Sequence, residues 1–288
     1  MVGAYAPRTG PAGRAQDGEA ARFVSATAEA FFVPDGPRFI ATGHTSGPWS
    51  PGFQHAGPPS ALLARAIEGA VADDPALTVA RLTVELLAPV PVAALTVETG
   101  VLRAGKKVRR IDATLLADGR AVARATGLAL RTGQLDLASG PAPVGAPAPP
   151  EQGEPYLFPV VISEGVGYAK AVDVRRVAAV AHPDGAAAWI RTRVALLAGE
   201  APTPLQRVMI AADSGNGVAV PADPRRYTFI NADLTVALHR PMEGEWVCLD
   251  AVSAHEPSGV GLTETRLWDR RGVIGRGLQV LVLERRAS

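Results

Sequence analysis

The chain has 288 residues, with 29 Lys and Arg against 28 Asp and Glu for a formal net charge of +1. That balance argues against a nucleic-acid binder, which needs a dense cationic face, while 47% hydrophobic and 20% charged residues describe a chain that folds. The single cysteine, Cys248, excludes an internal disulfide and a zinc site built on thiolates and fits a reducing, cytoplasmic compartment, and no run reaches the roughly 18 apolar residues of a membrane span.

Residues 1–22 mix Arg8, Arg14, Asp17 and Glu19 with Gly and Ala and have no apolar centre, so a disordered tail is expected there rather than a secretory signal. The first half, 23–137, opens with an extended segment at Arg38–Thr42. Gly52-Phe-Gln-His-Ala-Gly-Pro-Pro-Ser60 then runs into a helix from Pro58 to about Val71. Strands follow near Thr78–Leu87, Ala94–Arg103, Val108–Leu116 and Ala121–Arg131, separated by turn signals such as Asp118-Gly119. From Ala138 to Pro155 six prolines and almost no bulky apolar residue predict an extended, semi-rigid linker over 138–156.

The second half, 157–288, repeats the order. Extended segments at Val172–Val180 and Ala187–Leu197 precede a helix opened by Thr203-Pro204-Leu205-Gln206, a capping box with Pro in the first turn. Strands follow near Tyr227–His239, Glu245–Ala254, Val260–Trp268 and Val273–Glu284. A helix followed by consecutive antiparallel strands defines an α+β class, since alternating strand–helix order is missing. Ala80-Arg-Leu-Thr-Val-Glu-Leu-Leu-Ala-Pro89 lies over Ala232-Asp-Leu-Thr-Val-Ala-Leu-His-Arg-Pro241, and the same offset puts Ala121–Arg124 over Val273–Arg276. The constant offset across two separated strands marks an internal duplication.

Polar residues break this symmetry. Asp213 falls four residues after Met209, on the edge of the stripe Leu205, Val208, Met209 and Ala212. It is either a carboxylate sunk against the sheet or the solvated start of the turn Asp-Ser-Gly-Asn-Gly. Gln279 sits inside an apolar strand, where a buried amide needs partners or costs about 1–3 kcal/mol. Their matches in the first half are Ala61 and Gly127, so the pair exists in one copy only and points to one grafted site. Asn231 shares a strand face with Phe229, Asp233 and Thr235 by simple alternation, which by itself reads as an exposed face. In the first half Gly57 permits close backbone approach, and the helix that starts there offers N–H groups able to hold an oxyanion.

These motifs together resemble the acyl-CoA thioesterase II-like family of double hotdog proteins, over about Ala26 to Arg285. The resemblance implies two hotdogs, each an antiparallel sheet wrapped around one helix, joined as a pseudo-dimer with acyl-CoA bound between them. It implies hydrolysis of acyl-CoA to free fatty acid and CoA by an Asp-activated water, with Asp213, Asn231 and Gln279 as the catalytic set. Asn231 stands where the family carries a hydroxyl. The oxyanion and substrate side falls to Gly57 and His55. No cofactor, metal, nucleic acid or membrane partner is implied, and a homodimer or larger homo-oligomer is expected.

Arg103, Lys106, Lys107, Arg109 and Arg110 form a cationic hairpin that suits either CoA phosphates or a solvated strand edge. Neither Ser60 nor Ser214 is framed as Gly-x-Ser-x-Gly, Cys248 lies in an apolar strand, and the five histidines show no metal-binding spacing. A hotdog dehydratase would need a His-x-x-x-Gly-x-x-x-x-Pro setting that is missing. The remaining alternative is an acyl-CoA binding module without catalysis.

Overall fold

The computed structural model describes residues 29–138, 145–158 and 167–286; the expected tail at 1–22 and part of the linker lie outside them. In chain order the first half holds strands β1 (Ala30–Asp35) and β2 (Arg38–Ala41), helix α1 (Gly57–Gly69), then β3 (Leu77–Leu86), β4 (Ala94–Ala104), β5 (Val108–Ala117) and β6 (Arg120–Arg131). The second half holds β7 (Glu154–Pro155), the short helix α2 (Gly167–Ala171), β8 (Val172–Val177), β9 (Ala186–Thr192), β10 (Ala195–Leu197), α3 (Pro204–Ala212) and α4 (Gly215–Val218). It ends with β11 (Tyr227–Asn231), β12 (Asp233–Leu238), β13 (Val247–His255), β14 (Val260–Asp269) and β15 (Gly272–Arg285). The class is α+β, one large sheet and few helices. Among the described residues no helix is long and apolar enough to cross a membrane.

All strands belong to one hydrogen-bonded sheet, with β3 and β12 paired antiparallel at its middle. Thr83 faces Thr235, its own counterpart 152 residues on, and their hydroxyls meet at 3.1 Å. Leu82 faces Val236 and Val84 faces Leu234, so the pairing maps onto itself when the copies are exchanged. The offset holds through the next three pairings: Thr83 pairs Thr126 as Thr235 pairs Leu278, Asp112 pairs Thr126 as Glu264 pairs Leu278, and Val97 pairs Leu115 as Leu249 pairs Leu267; beyond them it slips by one, since Leu95 pairs Phe39 while Val247 pairs Ile190. Even the register shift between Val79 and Arg81 recurs at the break between β11 and β12, around Ala232.

Capping fixes where the helices start. The Thr203 hydroxyl accepts from Gln206 N–H and the Gln206 side chain accepts from Thr203 N–H, the reciprocal box expected for α3. Helix α1 begins one residue earlier than expected, at Gly57, with Pro58 and Pro59 in its first turn. The two helices pack against each other, and Leu62, Leu63, Ile67, Leu205, Val208 and Met209 on them are all buried in one apolar core. Glu68 reaches across to the Thr203 hydroxyl and the Gln206 amide, each at 2.9 Å, fixing one end of that contact.

The linker is more structured than its composition suggests. From Gly145 onward it packs on the second half: Ala148 O accepts from Trp189 Nε1 at 2.7 Å, and Glu154 pairs with Arg176 at the sheet edge. Cys248 is buried beside Trp189 and Trp268, and burial pushes its thiol well above the ordinary value, which leaves it inert. The cationic hairpin falls far from the features described next. Its turn lies at the Leu77 end of β3, where Arg131 Nε donates to Lys106 O, and Arg109 is tied to Asp73 at 2.6 Å.

Candidate active site

Helix α3 stops at Ala212, and Asp213 caps it with the backbone still helical. The chain then turns at once into α4. This break leaves a carbonyl at the end of one helix and an N–H at the start of the next without helical partners. Gln279, on the inward face of β15, supplies both: its Nε2 donates to Asp213 O at 3.0 Å and its Oε1 accepts from Asn216 N–H at 3.2 Å. The approach requires glycine at 215, where a Cβ would stand 2.7 Å from Gln279 Oε1 and 2.7 Å from Thr265 Oγ1. In the first half Ile67 of the uninterrupted α1 fills the equivalent space, packed so closely on Gly127 that a Cβ there would meet it at 2.4 Å.

The break turns the Asp213 side chain inward, where the residue is only 3% exposed. Its Oδ1 accepts from Asn231 Nδ2 at 2.9 Å, and its Oδ2 lies 2.8 Å from His55 Nδ1. The solvated-turn alternative for Asp213 is therefore set aside. Asn231 is buried too, contrary to simple alternation, because the extra residue at Ala232 flips the strand: Phe229 and Asn231 face inward before it, Leu234 and Val236 after it.

His55 comes from the first half, in the loop before α1. Its ring stacks on Tyr168 with centroids 3.6 Å apart and 5° between planes. Tyr168 was not singled out from the sequence, and nothing in its local pattern signals it. Its hydroxyl donates to Ile210 O at 2.9 Å and so accepts from Ser214 Oγ at 2.9 Å. Burial, aided by the nearby Asp213 charge, pushes this phenol far above its ordinary value despite the Ser214 bond.

Gly57 opens α1 and meets α3 closely. A Cβ there would stand 2.4 Å from Ile210 O, so the glycine is required by the contact between α1 and α3. Pro58 and Pro59 carry no N–H, and Ser60 N–H is spent on Ala56 O, so Gly57 N–H is what the first turn retains. That N–H lies 3.2 Å from His55 Nδ1. A ring nitrogen cannot donate to Asp213 and accept from Gly57 together; with the proton on Nδ1, the Asp213 contact is a hydrogen bond and Gly57 N–H is released.

Asp213, His55 and Asn231 line a cavity of about 600 Å³. Trp49, Phe53, Phe158, Tyr168 and Phe229 also line it, giving it flat apolar walls. Gln279 is not part of this wall: it grips the backbone behind Asp213. Among the described residues no group of three or more His, Cys, Asp or Glu could hold a metal ion.

A fold of this kind with a buried acid beside an apolar cavity defines a class that family comparison resolves. Residues 45–130 match the family model described as the acyl-CoA thioesterase N-terminal domain, and residues 141–283 match the acyl-CoA thioesterase C-terminal domain. The chain belongs to the acyl-CoA thioesterase family and is a thioester hydrolase. No curated protein matches the sequence. Among solved structures, a putative thioesterase II from Thermobifida fusca YX is 20% identical with TM-score 0.67, over 92% of this chain and 98% of its own. An acyl-CoA thioesterase II, TesB2, from Mycobacterium marinum is 17% identical with TM-score 0.62, over 80% and 91%. A conserved protein of unknown function with a hot dog fold from Alicyclobacillus acidocaldarius is 16% identical with TM-score 0.65, over 90% and 97%. At these identities the likeness concerns the fold, that of the hotdog thioesterases.

Proposed function

We propose that the protein hydrolyses acyl-CoA thioesters by a water activated at Asp213, in a pseudo-dimer of two hotdogs spanning roughly 23–137 and 157–288. The observation that carries this reading is the Asp213 carboxylate itself, buried at the cavity wall and gripped from one side by His55 of the first half and from the other by Asn231 of the second. A carboxylate has about four lone-pair sites, so two remain for water. Asp213 takes a proton from that water as its oxygen attacks the thioester carbonyl carbon. The carbonyl oxygen becomes an oxyanion, for which Gly57 N–H is the donor when His55 Nδ1 carries its proton toward Asp213. The carbon–sulfur bond then breaks, and CoA leaves as a thiolate. The aromatic cavity receives the thioester end of the substrate. Gln279 acts through the backbone, as a positioning residue.

A second reading of the base is favoured by one observation: His55 Nε2 has no protein partner among the described residues and is not sealed from solvent. In that reading Asp213 orients the ring, and Nε2 takes the proton from water.

Release of free thiol from a panel of acyl-CoA substrates by wild type, Asp213→Asn and His55→Gln tests both. Direct activation by Asp213 predicts a loss of about 10²–10⁴-fold in Asp213→Asn and a much smaller one in His55→Gln; equal losses move the base to His55. Full activity in Asp213→Asn overturns both. No thiol release by wild type while acyl-CoA still binds would leave a binding module.

A further inference from the structure

The cavity wall reaches the paired ends of β11 and β15, where four arginines are neighbours along the backbone. Arg286 belongs to the cavity wall: its Nε donates to Pro224 O at 2.9 Å and its guanidinium lies 5.5 Å over the Trp49 ring. Its backbone N–H donates to Arg226 O at 2.9 Å, which brings the segment Arg225–Arg226 alongside. Arg285 stands opposite Tyr227 in the ladder, and the Arg226 guanidinium lies 5.7 Å over the Tyr227 ring. Arg225, Arg226 and Arg285 are exposed.

Among the described residues none of the four makes a salt bridge. The carboxylates within this stretch are Asp223, which accepts from Arg225 N–H, and Glu284, so four positive charges face two negative ones. Neighbouring arginines left short of carboxylates are suited to phosphate oxygens, which a planar guanidinium can grip in pairs.

The spacing selects the anion. From Asn231, bonded to the acid, to Tyr227 is four steps along β11, roughly 13 Å at about 3.3 Å per residue, and Arg226 lies one step beyond. In CoA about thirteen bonds, two of them amides, separate the thioester sulfur from the diphosphate, an extended reach of roughly 15 Å. The hairpin carrying Lys106 and Lys107 does not meet this condition. It lies at the far end of β3, a strand of 10 residues whose other end, at Leu86, lines the cavity.

We propose that Arg225, Arg226, Arg285 and Arg286 form the receptor for the diphosphate and 3′-phosphate of CoA, placing the thioester at Asp213 by the length of the pantetheine arm. This rests on the acyl-CoA reading above and specifies which end of the molecule carries the handle.

The test uses the full chain and a triple variant, Arg225→Gln, Arg226→Gln and Arg285→Gln; Arg286 is kept because it packs on Trp49. Calorimetric titration with CoA, and separately with adenosine 3′,5′-bisphosphate, is expected to show affinity falling about tenfold in the variant, the combined effect of three exposed charge pairs. The ratio of kcat/KM for an acyl-CoA over the matching acyl-pantetheine is expected to fall by the same factor. Undiminished CoA binding by the variant, or no CoA binding by wild type, overturns the proposal. If wild type binds CoA through these arginines yet releases no thiol, the hydrolase reading fails and the phosphate receptor stands. If both proteins hydrolyse acyl-CoA equally well, the receptor fails and the hydrolase reading stands.

Discussion

Replacing Gln279 by Met keeps the length and shape of the side chain but removes its donor and its acceptor. Two buried backbone groups then lose their partners: Asp213 O, which Gly217 cannot serve because its N–H goes to Ser214 O, and Asn216 N–H at the start of α4. Gln279 is 1% exposed, so bulk water does not replace the amide without opening the strand. An orphaned buried polar group costs about 1–3 kcal/mol, and two give a loss of about 2–6 kcal/mol in unfolding free energy. Urea denaturation followed by circular dichroism measures this directly, and thiol release from the same samples at low temperature reports activity. Gly215→Ala pushes on the same amide from the other side, so the two substitutions combined should destabilise by less than their sum. A Gln279→Met protein with wild-type stability and no activity would refute the argument, because it would mean that the amide serves the substrate or its water and not the backbone.

Gly57→Ala forces a Cβ to within 2.4 Å of Ile210 O and should drive α1 and α3 apart, at a cost of about 1–3 kcal/mol seen as a lower midpoint in thermal unfolding, with activity falling as His55 shifts. Burial raises the Glu68 carboxyl above its ordinary value of 4.5, although bonds from Gln206 and Thr203 oppose the rise. A raised folded-state value means that its contribution is fully present below pH 4.5 and is lost as pH rises through the raised value. Glu68→Gln should therefore flatten the stability profile over that window, as measured by unfolding at a series of pH values.

The strands were legible because a change of length in one strand turns its side chains to the wrong face, so both copies kept the same spacing through three successive pairings. The helices have no such constraint. The sequence match of Ala61 to Asp213 does not hold in space, since Ile67 stands over Gly127 as Asp213 and Asn216 stand over Gln279. An odd amide in an apolar strand was enough to mark Gln279, but its partners were invisible because they are main-chain groups exposed by a helix break. Asn231 was obscured by the extra residue at Ala232, which periodicity cannot detect. His55 and Tyr168 join the site only through tertiary folding; the signal available for the cavity was local, with Trp49, Phe53 and His55 crowded into one Gly- and Pro-rich loop.

The seam between β3 and β12 is reinforced elsewhere. Strand β10 of the second half lies parallel to β1 of the first, and α1 rests on α3. Neither half owns a complete apolar interior, and the acid's two clamps come from opposite sides of the midline. The chain is therefore built to melt as one cooperative unit, and a partly melted molecule has no residual hydrolase to contribute.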